Sequence, residues 1–392
     1  MNTSATPVLF SSLALAQGRQ IGIATLNAEK TLNALSIDMV RLLQQQLQAW
    51  DRDSNTVMMV LQGAGDKALC AGGDLQQLYR AMQAHHASPQ RDDPLANPLA
   101  LEFFEQEYRL DYQIHSLRKP LLCWGHGIVM GGGIGLMAGA SHRVVTESAR
   151  LAMPETAIGL FPDVGGTWFL NRMPGRLGLF LALTGASINA ADALFIKLAD
   201  VHLPHAAKTS LFASLQEQCW SDDIACNHRL LSHVLQASAG NFSSGENAAG
   251  PLRRHFDLIN RLCSSASLEQ NIAAISEAGN DDPYLQKAAA NIRKACPASM
   301  RIAHALQERG KHLSLAQVFR LELNTALRCT QAPDFAEGIR ALLIDKDLMP
   351  RWQTASHSRS DSAWQDDFFR SLWPPHRHPL RDLDAEEKAI AA

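Results

Sequence analysis

Apolar runs within residues 8–16 and 21–27 flank the polar turn Gln17-Gly18-Arg19, a pattern that reads as a β-hairpin. Residues 26–53 then pass from a turn into a helix, with Ser36 as N-cap and Met39, Leu42, Leu43, Leu47 and Trp50 on one face. VMMVLQ at 57–62 reads as a buried strand. A second amphipathic helix is expected over 101–117, where Phe103, Phe104, Tyr108, Tyr112 and Leu117 form an apolar stripe. Periodicity alone puts Glu105 and Glu107 on its solvated face. Strands follow at 121–124 and around 143–145, with the apolar stretch Ile134 to Ala140 between them. Residues 171–185 and 188–204 read as two helices leading into a short strand. After about residue 205 the pattern becomes short helices, running on to residue 352 and broken by a low-complexity stretch at 237–250. No internal repeat is visible, and two regions are expected, 1–205 and 206–392.

Residues 121–169 depart from these rhythms. They hold Gly131-Gly132-Gly133 and, further on, the carboxylates Glu155 and Asp163, eight residues apart in an apolar frame of Met153, Pro154, Ile158, Leu160, Phe161 and Pro162. Glycines at a strand-to-helix junction leave bare backbone N–H groups that a ligand oxygen can approach, which is how an oxyanion hole is built. Ala71-Gly72-Gly73-Asp74 repeats the device before another helix, so the Gly73 N–H is expected as the second arm. The apolar frame should raise the pKa of a buried carboxyl, which suits acid–base or nucleophilic work on a carbonyl. Alone, Glu155 would read as a cap or ion-pair residue and Asp163 as a turn former; together, with glycines on both sides, they favour a site. Gly131, Gly135 and Gly139 have the spacing of a membrane-helix dimerisation face, but the seven glycines and one histidine of 121–140 break that window into strand, turn and helix. Gly63-Ala64-Gly65 matches a dinucleotide fingerprint only loosely: no helix opens there, and the expected downstream acid is replaced by His85-His86. The proline-bearing polar stretch 85–99 reads as a loop or lid.

Composition narrows the classes. With 392 residues, 46% hydrophobic and 19% charged, the chain is an ordinary globular protein of one large domain with extensions, or two domains. Its formal net charge of −3 gives no general attraction to nucleic acid, so an anionic ligand has to be met by local lysines or arginines. The seven cysteines are scattered and form no CxxC pair, which argues against a disulfide framework or a zinc site. Cys70 has no histidine partner and reads as a packing residue; His376 and His378, among prolines, read as surface residues rather than metal ligands. The N-terminus has no basic region ahead of its apolar residues, and the cytoplasm is the simplest compartment.

These motifs resemble the crotonase (enoyl-CoA hydratase/isomerase) superfamily and, within it, the 3-hydroxyisobutyryl-CoA hydrolase family, over nearly the whole chain. LNAEKTLNAL (26–35) resembles the early acyl-CoA loop. KALCAGGDL (67–75) and IVMGGGIGL (128–136) resemble the two oxyanion-hole segments, and AMPETAIGLFPDVGG (152–166) the hydrolase active-site loop. CPASMRIAHALQERG (296–310) and the run 335–352 resemble the hydrolase tail. Crotonase-type hydratases carry a glutamate two residues after the triple glycine; here that position is Gly135, so hydration is expected to be poor.

The resemblance implies an α/β fold of ββα turns in a spiral of two sheets, a helical C-terminal region after the catalytic core, and an acyl-CoA thioester substrate without a separate cofactor. It gives the backbone N–H groups of Gly73 and Gly132 the thioester oxygen, Glu155 the role of nucleophile or general base, and Asp163 the substrate hydroxyl or the water. Glu107 becomes a substrate contact despite its periodicity, and Lys30 and Lys67 are placed near the coenzyme A phosphates. Superfamily members commonly trimerise, so a homo-oligomer is compatible with the resemblance. A hydratase or isomerase is the alternative reading, and a non-catalytic acyl-CoA or RNA-binding scaffold the third.

Overall fold

The computed structural model describes residues 6–240, 249–278, 282–353 and 368–385. In chain order they form β1 (Val8–Ala14), β2 (Gln20–Leu26), α1 (Ile37–Arg52), β3 (Thr56–Gly63), β4 (Ala68–Cys70), α2 (Leu75–His86), α3 (Pro98–Ser116), β5 (Leu121–Gly125), β6 (Ile128–Met130), α4 (Gly132–Ala138), β7 (His142–Val145), β8 (Arg150–Ala152), α5 (Gly166–Leu170), α6 (Leu177–Thr184), α7 (Ala190–Phe195) and β9 (Val201–His202). Beyond β9 they are helical: α8 (Lys208–Gln216), α9 (Ile224–Gly240), α10 (Pro251–Arg254), α11 (Phe256–Leu262), α12 (Leu268–Glu277), α13 (Pro283–Lys294), α14 (Pro297–Gly310), α15 (Leu315–Gln331) and α16 (Pro333–Ile339). This is the α/β fold with a helical C-terminal region that the sequence led us to expect. Among the described residues no helix is long and apolar enough to cross a membrane.

The chain forms two compact units. The first takes Met1–Gly73, Gln113–Leu151 and Ser187–Arg254; the second takes Asp74–Tyr112, Ala152–Ala186 and His255–Ala392. Neither coincides with the regions 1–205 and 206–392 read from the sequence. Composition marks where strands stop recurring along the chain, whereas packing gathers segments regardless of their order.

In the first unit a six-stranded sheet runs β1-β2-β3-β5-β7-β9, and a three-stranded sheet runs β4-β6-β8. The β1–β2 hairpin is antiparallel; β2–β3, β3–β5, β5–β7 and β7–β9 are parallel. Parallel strands covered on both faces become continuously apolar, which is why β3 and β5 read as unbroken hydrophobic runs. Ile21, Val57, Met58, Leu122, Trp124 and Val144 pack in one core with Leu211 and Leu215 of α8 and Leu231 and Val234 of α9. Ser36 caps α1 by accepting the Met39 N–H, and Val40 rather than Leu42 completes its buried face. Strands β4, β6 and β8, three residues each, were not anticipated, being too short for a period to show.

The second unit is built from helices. α14 packs on α5 and α6, and α15 and α16 pack on each other and on α2. The segment 85–99, read as a loop or lid, is held at two points: His86 Nε2 shares a hydrogen bond with the Thr330 carbonyl, and Gln331 donates to the Asp92 carbonyl. The helix expected to reach residue 352 ends in a π-helical turn, Arg340–Ile344, beyond which Lys346 and Leu348 take positive φ. His378 is buried, not on the surface: its Nδ1 accepts the Leu380 N–H and its Nε2 meets the Arg320 carbonyl. The low-complexity stretch begins inside α9, and its residues 241–248 lie outside the described ones.

Candidate active site

Glu155 opens a tight 3-10 turn, Glu155–Ile158, that Gly159 closes in the left-handed region at φ 82°. Two backbone N–H groups, those of Gly159 and Leu160, fold back onto the Glu155 carbonyl. The side chain is buried, and its Oε2 finds no hydrogen-bond partner among the described residues. Burial first, and the charge of Asp163 second, push its pKa well above the usual carboxyl range.

Asp163 sits in the next turn, where the Gly166 N–H bonds back to its carbonyl at 2.7 Å. It is buried, and Tyr108 Oη donates to its Oδ2 at 2.9 Å. Burial raises its pKa to about 7, opposed by the Tyr108 hydrogen bond. Asp163 therefore has a donor that stabilises its anion, which the Glu155 Oε2 lacks.

α3 brings further acids. Glu107 is 3% exposed and Asp111, one turn on, 0%; neither oxygen of Asp111 has a hydrogen-bond partner among the described residues. Burial is the main cause of a raised pKa in both, reinforced by Asp163 for Glu107 and by Glu107 and Asp163 for Asp111. The solvated position that periodicity gave Glu107 is thus overturned. Glu105 keeps its expected polar surroundings, paired with Arg109 at 3.0 Å. Glu322 on α15 is buried too and accepts the N–H groups of Gly165 and Thr167 at 2.8 and 2.9 Å. Burial pushes its pKa to about 8 against those two donors. The second unit thus gathers Glu107, Asp111, Glu155, Asp163 and Glu322 around the hydroxyl of Tyr108. Burial and mutual repulsion both disfavour ionising all of these carboxyls together, and they raise one another's pKa.

Sequence reasoning missed Tyr108 as a polar group, Asp111 and Glu322. A signal for the last two existed: each lies within an apolar helical face, Asp111 beside Tyr108 and Tyr112, Glu322 beside Phe319, Leu323 and Ala326.

The glycine motifs lie in the first unit. The Leu35 N–H bonds to the Gly72 carbonyl at 2.8 Å, holding the Gly72-Gly73 strand end in place. Gly72, at φ 106°, lies so close to the other motif that a Cβ on it would stand 3.5 Å from the Met130 carbonyl oxygen and 4.0 Å from the Gly132 nitrogen. Gly131 caps α4 at φ 49°, ψ −122°, a conformation open only to glycine. The backbone at Gly72 and at Gly132 therefore lies side by side. Lys30 and Lys67 are exposed, and their turns adjoin: a Cβ on Gly65 would stand 2.5 Å from Glu29 Oε2. Among the described residues no group of His, Cys, Asp and Glu is arranged to hold a metal ion.

Comparison with known proteins supplies the class to which this fold belongs. Residues 21–369 match the enoyl-CoA hydratase/isomerase family, and the chain belongs to it. Within it, the chain is 36% identical over 354 residues to 3-hydroxyisobutyryl-CoA hydrolase, mitochondrial, of Danio rerio, covering 90% of this chain and 87% of that protein. It is 35% identical to the protein of the same name in Homo sapiens, over 90% and 86%. Among solved structures, a carnitinyl-CoA dehydratase from Mycobacterium thermoresistibile superposes with a TM-score of 0.79 at 32% identity, covering 94% of this chain and 98% of that one. An enoyl-CoA hydratase from Rhodobacter sphaeroides gives 0.77 at 32%, over 93% and 98%.

Proposed function

We propose that the protein hydrolyses 3-hydroxyisobutyryl-CoA, or a close 3-hydroxyacyl-CoA, to the free hydroxy acid and coenzyme A, as in valine breakdown. The observation that carries this reading is the Glu155 carboxyl, buried, unpartnered at Oε2 and of raised pKa. A carboxylate ionised there is a stronger base and nucleophile than one in water. Two balanced routes are open to it. In one, a Glu155 oxygen attacks the thioester carbon, the C–S bond breaks, and coenzyme A leaves as a thiolate that takes up a proton; water then cleaves the anhydride. In the other, Glu155 takes a proton from water as its oxygen adds to the carbon, and returns it to the departing sulfur.

The remaining roles follow the resemblance to the hydrolase family. The Gly73 and Gly132 N–H groups hold the thioester oxygen as it becomes an oxyanion; losing one such donor costs about 3–4 kcal/mol in the barrier. Asp163 accepts the 3-hydroxyl, Glu107 contacts the acyl group, and Lys30 and Lys67 meet the phosphates. Neither route uses a cofactor. The reading is tested by thiol release from 3-hydroxyisobutyryl-, 3-hydroxypropionyl-, acetyl- and crotonyl-CoA. Preference for the 3-hydroxy esters is expected, and release from none of them would overturn it.

Hydration of an enoyl-CoA is the second reading, favoured by the names of the two solved structures of like fold. Gly135 stands against it, because addition of water across a double bond in hydratases uses a glutamate at that position. Rapid loss of the crotonyl-CoA enoyl absorbance would decide for hydration.

A further inference from the structure

The Asp163 turn contains a backbone that should not hold itself. Val164 takes φ 50° and Gly165 φ 83°. The left-handed region is a genuine outlier for a β-branched residue, and such a conformation persists only where its surroundings impose it. Two side chains do so, from opposite ends of the sequence of the second unit. From α15, Glu322 accepts the N–H of Gly165 at 2.8 Å with Oε2 and the N–H of Thr167 at 2.9 Å with Oε1. Both carboxylate oxygens are thus used on backbone immediately after the strained residue. From α3, Tyr108 Oη donates to Asp163 Oδ2 at 2.9 Å, and its ring packs against Phe104 and Phe319, at centroid distances of 5.8 and 5.6 Å. Phe319 lies one turn before Glu322 on α15, so one helix braces the tyrosine ring and grips the turn.

We propose that Tyr108 and Glu322 are positioning residues for Asp163: Tyr108 fixes the direction of its carboxylate, and Glu322 fixes the backbone turn that carries it. This rests on the reading that Asp163 accepts the substrate's 3-hydroxyl. It identifies what the helical C-terminal region supplies to specificity. A free carboxylate rotates about χ2 and offers either oxygen; with Oδ2 occupied by Tyr108, Oδ1 is the oxygen left for a hydroxyl donor. The preference for a 3-hydroxy ester is then a matter of aim, set by groups that do not touch the substrate. A buried hydroxyl that loses its acceptor discriminates far more strongly than a missing methylene.

The test compares wild type, Asp163→Asn, Tyr108→Phe and Glu322→Gln on two esters that differ only in the hydroxyl, 3-hydroxyisobutyryl-CoA and isobutyryl-CoA. The readout is the ratio of the two kcat/KM values, alongside the thermal midpoint of each protein. Tyr108→Phe is expected to lower the ratio by roughly tenfold or more, the scale of a hydrogen bond to a charged group, because kcat/KM for isobutyryl-CoA falls less than that for the hydroxy ester. Glu322→Gln, which keeps one acceptor and sets an amide N–H against the other donor, should lower the ratio in the same direction.

A second readout is the pH profile for the hydroxy ester. Asp163 faces Glu107, Tyr108 and Asp111 of α3, Glu155 of the preceding turn and Glu322 of α15, and among the described residues Tyr108 is the group that donates a side-chain hydrogen bond to it. Removing that donor should move the ascending limb to higher pH. Equal losses on both esters in Tyr108→Phe, with the limb unmoved, would overturn the positioning role and leave a structural one. If Glu322→Gln does not fold, Tyr108→Phe still decides. A wild-type ratio near one, or an unchanged ratio in Asp163→Asn, would instead overturn the underlying assignment of Asp163, in measurements that do not involve Tyr108 or Glu322.

Discussion

Gly338 lies against Ile158 so closely that a Cβ built on it would stand 2.3 Å from the Ile158 carbonyl carbon and oxygen. α16 therefore forms the floor beneath the turn that begins with Glu155. A second tie comes from the start of α14, where the Cys296 N–H bonds to the Thr156 carbonyl at 2.8 Å. Helix propensity alone would make Gly338→Ala stabilising by about 1 kcal/mol. The contact reverses that expectation, because the added methyl meets backbone that can yield only by shifting the turn. Gly338→Ala should lower kcat by about tenfold to a hundredfold, the cost of a misplacement of about 1 Å. Steady-state kinetics with a thermal melt check this; unchanged kcat with a higher midpoint would contradict it.

Glu155→Gln removes the ionisable group and keeps the shape. Turnover should fall by roughly 10²–10⁴-fold, while affinity for a CoA ester, measured by calorimetry, stays within a few-fold. Near-normal hydrolysis in this variant would sink the role assigned to Glu155.

Asp111 carries the clearest pH signature. Its folded-state pKa is raised, chiefly by burial and then by Glu107 and Asp163. Above the ordinary carboxyl range, near pH 4, the unfolded chain has released a proton that the folded protein retains, so folding stability contributed at low pH is lost as pH rises towards the raised value. The slope is at most about 1.4 kcal/mol per pH unit for one group. Asp111→Asn removes that dependence. Its thermal midpoint relative to wild type should therefore improve progressively from pH 5 to pH 8. A difference that is the same at both pH values would show that Asp111 is not a proton-holding group.

The parts of the site that the sequence revealed are the local ones. Glu155, Asp163 and the glycines at 72–73 and 131–133 lie in short loops whose composition is unusual by itself, and whose geometry is fixed within a few residues. Glu107 was assigned to solvent because a carboxylate on a helix is usually solvated, yet its place one turn after Phe103 and Phe104 puts it on the apolar stripe, where it is buried. The Glu322 grip on Gly165 joins residues 157 apart, and no periodicity reports such a bond. The strands β4, β6 and β8 and the end of the helical run at Ile344 were missed for the complementary reason: both are settled by partners in space rather than by local preference.

The cysteines supply a last prediction, which also bears on how thiol release is measured. Cys70, Cys123, Cys263, Cys296 and Cys329 are buried, Cys226 is half-buried and Cys219 is exposed. Burial pushes the thiols of Cys123, Cys263 and Cys296 up to about 12, far from the thiolate form that reacts. None of the groups proposed for the chemistry is a thiol; Cys70 lies against the Gly72 backbone, its Sγ 3.4 Å from that nitrogen. A disulfide reagent used to follow coenzyme A release should therefore titrate Cys219 rapidly in the native protein, Cys226 more slowly, and the other five only after unfolding. Complete alkylation of the fast thiol should leave hydrolysis intact when product is followed by chromatography. Inactivation at the rate of that first alkylation would mean that Cys219 takes part in turnover, and the carboxylate mechanism would then be incomplete.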